Sequence, residues 1–291
     1  MAKRALPLLS LLLIALAVTA CGGTAQNGGP PAATSAAETP APAESPQAAA
    51  QPSAKPAESP EPTLAPTPSE EIATAEPAKP AVQYRMNAVF RFEPVSEDIP
   101  DKAVLLTFDD GPKDETVLTS ILDTLDQHGA KAIFFVNGYR VKQKPQLLEL
   151  IHKRGQTIGN HSWDHINLKN EDKATVEKQI GSLQTEIESL TGETPRFFRP
   201  PFGSGGDTVK EIAKNHGMLY MTWSNGSLDW DKSAKNRPDA VIGNVMEQLH
   251  SGANILMHEL PWTDEALDEL LTRLEGKGYG FIDPSSIEVT R

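Results

Sequence analysis

From about residue 100 onward, short unbroken apolar runs alternate with longer stretches in which apolar positions recur every three or four residues. The runs at 103–108, 132–136, 157–160, 196–199, 219–223, 254–258 and 279–283 predict buried β-strands. The stretches at 115–128, 146–154, 173–190, 209–216, 240–250 and 264–275 predict amphipathic helices. In the first, Val117, Ile121, Leu122 and Leu125 share a face and Gly129 stops the pattern; in the third, Val176, Ile180, Leu183, Ile187 and Leu190 do the same. Pro145 and Pro238 stand where helices open, and Gly155, Gly217 and Gly276 stand where they end. Strands alternating with helices predict an α/β domain with a parallel sheet. Seven such strands without a dinucleotide-type glycine fingerprint predict a closed or nearly closed barrel, whose chemistry gathers at the C-terminal ends of the strands.

Polar residues do gather there. Asp109-Asp110-Gly111-Pro112 closes the first run, Asn160-His161-Ser162-Trp163-Asp164-His165 follows the third, and Arg199-Pro200-Pro201-Phe202-Gly203 follows the fourth. Ser227-Leu228-Asp229-Trp230 comes after the fifth, and His258-Glu259 ends the sixth. Packing alone does not explain five polar clusters at five strand ends.

The 83 residues before this domain read differently. Lys3 and Arg4, an apolar run from Leu6 to Ala17 and small residues before Cys21 have the layout of a secretory signal, and the run is short for a membrane span. Its end resembles a bacterial lipobox, which implies a lipid on Cys21; an ordinary cleaved signal is the alternative. Cys21 is the only cysteine, so no intramolecular disulfide exists. Residues 22–83 hold 13 of the 24 prolines, no aromatic residue, and Leu64, Ile72 and Val82 as their large aliphatics. Such a composition buries too little apolar surface to offset chain entropy and predicts a disordered tether. It spans roughly 45 Å as a flexible coil and at most roughly 190 Å as polyproline II. Of the formal charge of −12, the tether carries −5 and the first 21 residues +2, so −9 falls on residues 84–291. That excess of acid argues against nucleic acid as a partner.

Adjacent carboxylates such as Asp109 and Asp110 repel unless a cation is near. His161 and His165, four apart, would face one side of a helical turn. One carboxylate and two imidazoles with an open position make a catalytic metal shell, and a metal there activates water and polarises a carbonyl. Taken singly, the His pair reads as surface or capping residues and Asp-Asp-Gly-Pro as a turn. His258, on an apolar strand, reads either as a satisfied core histidine or as a catalytic acid that Asp229 holds protonated. Arg199 reads as the orienting partner of a carboxylate or as a weak surface ion pair.

In this order and spacing the five clusters resemble the polysaccharide deacetylases of carbohydrate esterase family 4, the NodB-homology domain, over nearly all of residues 100–285. The resemblance implies a distorted (β/α)7 barrel as a single catalytic domain, and one divalent metal ion, zinc first, with cobalt, nickel, manganese or iron also accommodated. It implies that Asp110, His161 and His165 bind the metal, that Asp109 is the general base, and that Arg199 positions it. It further implies that the backbone N–H of Phe202 helps stabilise the oxyanion, that His258 is the general acid supported by Asp229, and that Trp230 and Leu256 wall the acetyl pocket. This chain has Phe202 where the family often has Tyr, Gly226 where it often has Asp, and Glu259 where Asp is common. Trp262 is open to two readings, a sugar-stacking ring or an exposed loop residue.

The resulting expectation is a monomeric, lipid-anchored extracytoplasmic enzyme that removes N-acetyl groups from peptidoglycan N-acetylglucosamine. Chitin oligomers, poly-N-acetylglucosamine and acetylated xylan are the alternative polymers. A catalytically silent wall-binding protein is the alternative of another class; loss of a ligand or of Asp109 would favour it, and all are present.

Overall fold

The computed structural model describes residues 81–289. The expected signal segment with Cys21, and the expected tether up to residue 80, lie outside the described residues. Within them no helix is long and apolar enough to cross a membrane.

The chain enters through an antiparallel hairpin, β1 (Tyr84–Met86) with β2 (Phe92–Pro94), and then runs β3 (Ala103–Gly111), α1 (Glu115–Gln127), β4 (Ala132–Val136), α2 (Gly138–Gln143), α3 (Pro145–Lys153) and β5 (Thr157–Asn160). It continues with α4 (Lys173–Thr191), β6 (Phe197–Phe198), α5 (Asp207–Asn215), β7 (Leu219–Tyr220), β8 (Asn225–Gly226), α6 (Pro238–Glu247), β9 (Ala253–His258), α7 (Pro261–Gly276) and β10 (Gly280–Phe281). The strands other than β1 and β2 form one parallel sheet of eight in the order β7-β6-β5-β4-β3-β9-β8, with β10 beside the start of β3. The expected α/β parallel architecture is therefore present. The sheet curls into a half-barrel, in keeping with the distorted (β/α)7 barrel that the resemblance implies; among the described residues no ladder joins β7 to β8.

Strand β3 is buried along nearly its whole length, as expected for a central parallel strand covered on both faces. Its alternation sorts two cores. Val104, Leu106 and Phe108 join Phe134 and the apolar faces of α1, α3, α6 and α7 on the outside of the curl. Ala103 and Leu105 join Ile133, Phe135, Phe197 and Met221 on the inside, together with Tyr84, Met86 and Phe92 of the hairpin. The hairpin docks through Phe92 N–H to Gly252 O at 2.8 Å. Gly252 has φ 70°, and a Cβ there would collide with the Phe92 backbone, so the position requires glycine.

The helices form where the pattern places them. α1 starts because the Asp114 side chain accepts from Thr116 N and Val117 N, and α4 ends at Gly192 in the left-handed region. Three details differ from the sequence expectation. β6, β7 and β10 are shorter than the apolar runs that contain them. The β1–β2 hairpin, strand β8 and helix α2 were not expected. Residues 161–165 form a loop rather than a helical turn.

Candidate active site

The inward face of β3 turns polar toward its C-terminal end: after Ala103 and Leu105 come Thr107 and Asp109, both buried. In a regular strand Asp110 would point to the opposite face from Asp109. The β3–β4 register shifts between Asp109 and Gly111, so Asp110 is a bulge residue, at φ 63°. The bulge re-aims its side chain, and two consecutive carboxylates reach the same cavity.

Arg199, fully buried just past β6, braces the first of them. Its Nη1 donates to Asp109 Oδ1 and Thr107 Oγ1, both at 2.7 Å, and its Nη2 donates to Thr222 O at 2.8 Å and Asn254 Oδ1 at 3.0 Å. The guanidinium lies 4.3 Å from the centre of the Phe135 ring, a favourable cation–π placement. Burial pulls the Arg199 pKa down and Asp109 opposes that; the group stays charged, as guanidinium does in proteins.

His161 and His165 come to the second carboxylate on a loop that reverses through Ser162 at φ 67° and His165 at φ 54°. His161 Nδ1 lies 2.7 Å from Arg199 O. A carbonyl only accepts, so Nδ1 carries the proton and Nε2 presents a lone pair to the cavity. That Nε2 lies 3.4 Å from Asp110 Oδ1, and His165 Nε2 lies 3.1 Å from the same oxygen. Asp110 Oδ1 is buried without a well-formed hydrogen bond. The three ligand atoms lie within 4.8 Å of one another. Electron-pair donors crowded at a buried point with no shared proton fit a divalent cation.

Across the cavity His258 ends β9. Its Nδ1 donates to Asp229 Oδ1 at 2.7 Å, which turns Nε2 to the cavity. Asp229 is fully buried, and its Oδ2 also accepts from His258 N at 2.6 Å and Thr263 Oγ1 at 2.7 Å. Burial favours neutral His258, but Asp229 outweighs it and holds the pKa above the ordinary histidine value. Asp109, Asp110, His165, Phe202, Trp223, Trp230, Leu256 and His258 all line one cavity of about 370 Å³. Trp230 is 46% and Phe202 65% exposed, so the rim is aromatic, while Leu256 is buried in the wall.

The backbone at the cavity and beside its lining residues is strained. Asp110, Ser162, His165, Phe202 and Leu228 all have φ between 54° and 67°, a region that costs non-glycine residues about 1–3 kcal/mol and clusters at functional sites.

Several participants escape sequence reasoning. Thr107 and Asn254, both fully buried, brace Arg199, and Trp223 lines the cavity. Trp262 is neither an exposed loop residue nor a free stacking ring: its indole N–H donates to Asp229 O at 2.8 Å from the first turn of α7. Glu259 is buried behind Asp110, and burial pushes its carboxyl up to about 7 against the opposing pull of Lys113 and Arg140.

The family profile for polysaccharide deacetylase matches residues 96–221. The peptidoglycan-N-acetylglucosamine deacetylase PgdA of Listeria monocytogenes is 36% identical over 66% of this chain, and the chain spans only 41% of that protein. A peptidoglycan-N-acetylglucosamine deacetylase of Bacillus cereus is 33% identical over 66% of this chain and 92% of its own length. Among solved structures, wild-type BA3943 of Bacillus anthracis, a CE4 family pseudoenzyme, matches with TM-score 0.60 and 33% identity over 64% of this chain and 66% of that one. The chain belongs to the polysaccharide deacetylase family, carbohydrate esterase family 4.

Proposed function

We propose that the chain is a metal-dependent hydrolase that removes acetyl groups from N-acetylglucosamine in peptidoglycan, acting as a monomer outside the cytoplasm on a lipid anchor at Cys21. One observation carries the reading. The candidate metal ligands Asp110, His161 and His165 cluster at one cavity, whose lining also holds a carboxylate locked by a buried arginine and a histidine locked by a buried aspartate. The names of the Listeria and Bacillus cereus relatives support peptidoglycan as the polymer.

A divalent cation on those three ligands, zinc first with cobalt, nickel, manganese or iron as alternatives, supplies Lewis acidity toward the acetyl carbonyl and acidifies a water. Arg199 occupies Asp109 Oδ1 and leaves Oδ2 for catalysis. As the water oxygen bonds to the carbonyl carbon, Asp109 takes its proton as general base. The Phe202 backbone N–H donates to the developing oxyanion. His258 Nε2 then gives its proton to the nitrogen as the C–N bond breaks, leaving acetate and a free amine. Asp229 keeps His258 protonated for that step, and Trp230 and Leu256 confine the acetyl methyl.

The test is acetate release from purified peptidoglycan, chitin oligomers, poly-N-acetylglucosamine and acetylated xylan, with and without chelator. Release from peptidoglycan that chelator abolishes and added metal restores is expected. No release from any polymer with metal restored sinks the enzyme and leaves a wall-binding protein. Release from xylan alone sinks the peptidoglycan assignment.

A further inference from the structure

We propose that Glu259 is a positioning residue for Asp110, clamping the Gly111–Lys113 turn to the end of β9 so that the bulged carboxylate stays aimed at His161 and His165. This rests on the metal site proposed above.

Asp110 has little to hold it by itself. As the bulge residue it has no register partner on β4, and its left-handed φ of 63° is a conformation the backbone leaves readily unless held. The turn that follows is held from two sides. On the β4 side, Asn137 N–H donates to Gly111 O at 2.9 Å. On the other side, Glu259, the residue after His258, reaches across from β9, and its Oε2 accepts from Lys113 N at 2.9 Å. Its Oε1 packs so closely on Gly111 that a Cβ there would collide with it. Residue 111 is thus glycine at a close approach of backbone and carboxylate, not at a flexible joint. Lys113 closes the loop, its Nζ 3.8 Å from Asp110 Oδ2. Glu259 is only 3% exposed and Oε1 accepts no hydrogen bond. Leaving a carboxylate oxygen in that state is unfavourable, and holding the turn is what the contacts of Glu259 with Lys113 and Gly111 accomplish. The same residue adjoins the proposed acid His258 in sequence, so one side chain sets the spacing between the ligand side and the acid side of the cavity.

The proposal is tested by Zn²⁺ affinity, read by competition with a chromophoric chelator, beside the thermal midpoint of the metal-free protein. Glu259→Ala is expected to weaken Zn²⁺ binding by about 10–100-fold, the range seen when a group supporting a metal ligand is removed. Glu259→Gln retains an acceptor for the Lys113 N–H and is expected to stay within about threefold of the unaltered protein. Glu259→Asp, one methylene short, is expected to fall between them. Unchanged Zn²⁺ affinity in Glu259→Ala with a lowered midpoint overturns the proposal in favour of a purely structural role. Glutamine as damaging as alanine overturns it in favour of a charge effect. If the alanine variant does not fold, full affinity in Glu259→Asp overturns it. Failure of the unaltered protein to bind Zn²⁺ is a separate result that removes the metal site itself and this inference with it.

Discussion

Arg199 acts through both ends of one residue. Its guanidinium fixes Asp109, while its backbone carbonyl fixes the tautomer of His161. The proposed base and a proposed ligand are therefore oriented from one buried point, yet their chemistry is separable by substitution. Asp109→Asn keeps the shape and an oxygen for Arg199 but removes the proton acceptor. It is expected to lower turnover by about 10²–10⁴-fold while retaining bound metal. His161→Ala is expected to lose both, with metal content by elemental analysis deciding. If Asp109→Asn loses metal and Asp110→Asn keeps it, the two roles are reversed. The charged members of the site were legible in the sequence because each ends an apolar run or lies in the polar cluster that follows one. Thr107 and Asn254 were not: they are uncharged, lie inside apolar runs, and acquire meaning only once Arg199 is threaded between their strands. Glu259 was set aside because adjacency to His258 says nothing of a reach back to Lys113.

Between elements, the contact of α1 with α7 carries a titratable joint. His128, the C-cap of α1, places Nε2 3.1 Å from Asp268 and Nδ1 3.2 Å from Glu275, both on α7. Burial lowers its pKa, but the two carboxylates outweigh that and raise it. A folded-state pKa above the unfolded value means the stabilisation is full below about pH 6.5 and is lost as pH rises through the raised value. Both carboxylates are solvent-exposed, so the effect is at most about 1 kcal/mol. In chemical denaturation, the advantage of the unaltered protein over His128→Gln is expected to shrink between about pH 5.5 and about pH 8.5; an identical pH slope in both would disprove the joint. The helices themselves were readable because their apolar spacing and their stops agree. Strand β8 was not, since Asn225-Gly226 reads as a turn and becomes a strand only by pairing with Ile255 and Leu256. Helix α2 was hidden by its length of six residues, with Val141 its one large buried apolar side chain. The loop at 161–165 defeated the four-residue spacing argument because two non-glycine residues there are left-handed.

For the whole molecule, the proposed anchor and tether decide where the cavity can work. Cys21→Ala is expected to move the protein from the membrane to the soluble fraction on fractionation, with deacetylation of soluble oligomers unchanged; continued membrane retention would remove the lipid from the account. The acidic balance of the domain fits a polymer gripped by rings and hydroxyls rather than by charge, which matches the aromatic rim of Trp230, Trp223 and Phe202. The five left-handed residues at the cavity and beside its lining also tell an engineer where not to look for heat resistance. Glycine at such positions ordinarily relieves strain, and the usual search for hardier variants would find them first. Here two of them are proposed metal ligands, Asp110 and His165, and a third, Phe202, is proposed to lend its N–H to the reaction. The tension in these loops is a working part, and a sturdier variant is better sought in the helices on the far side of the sheet.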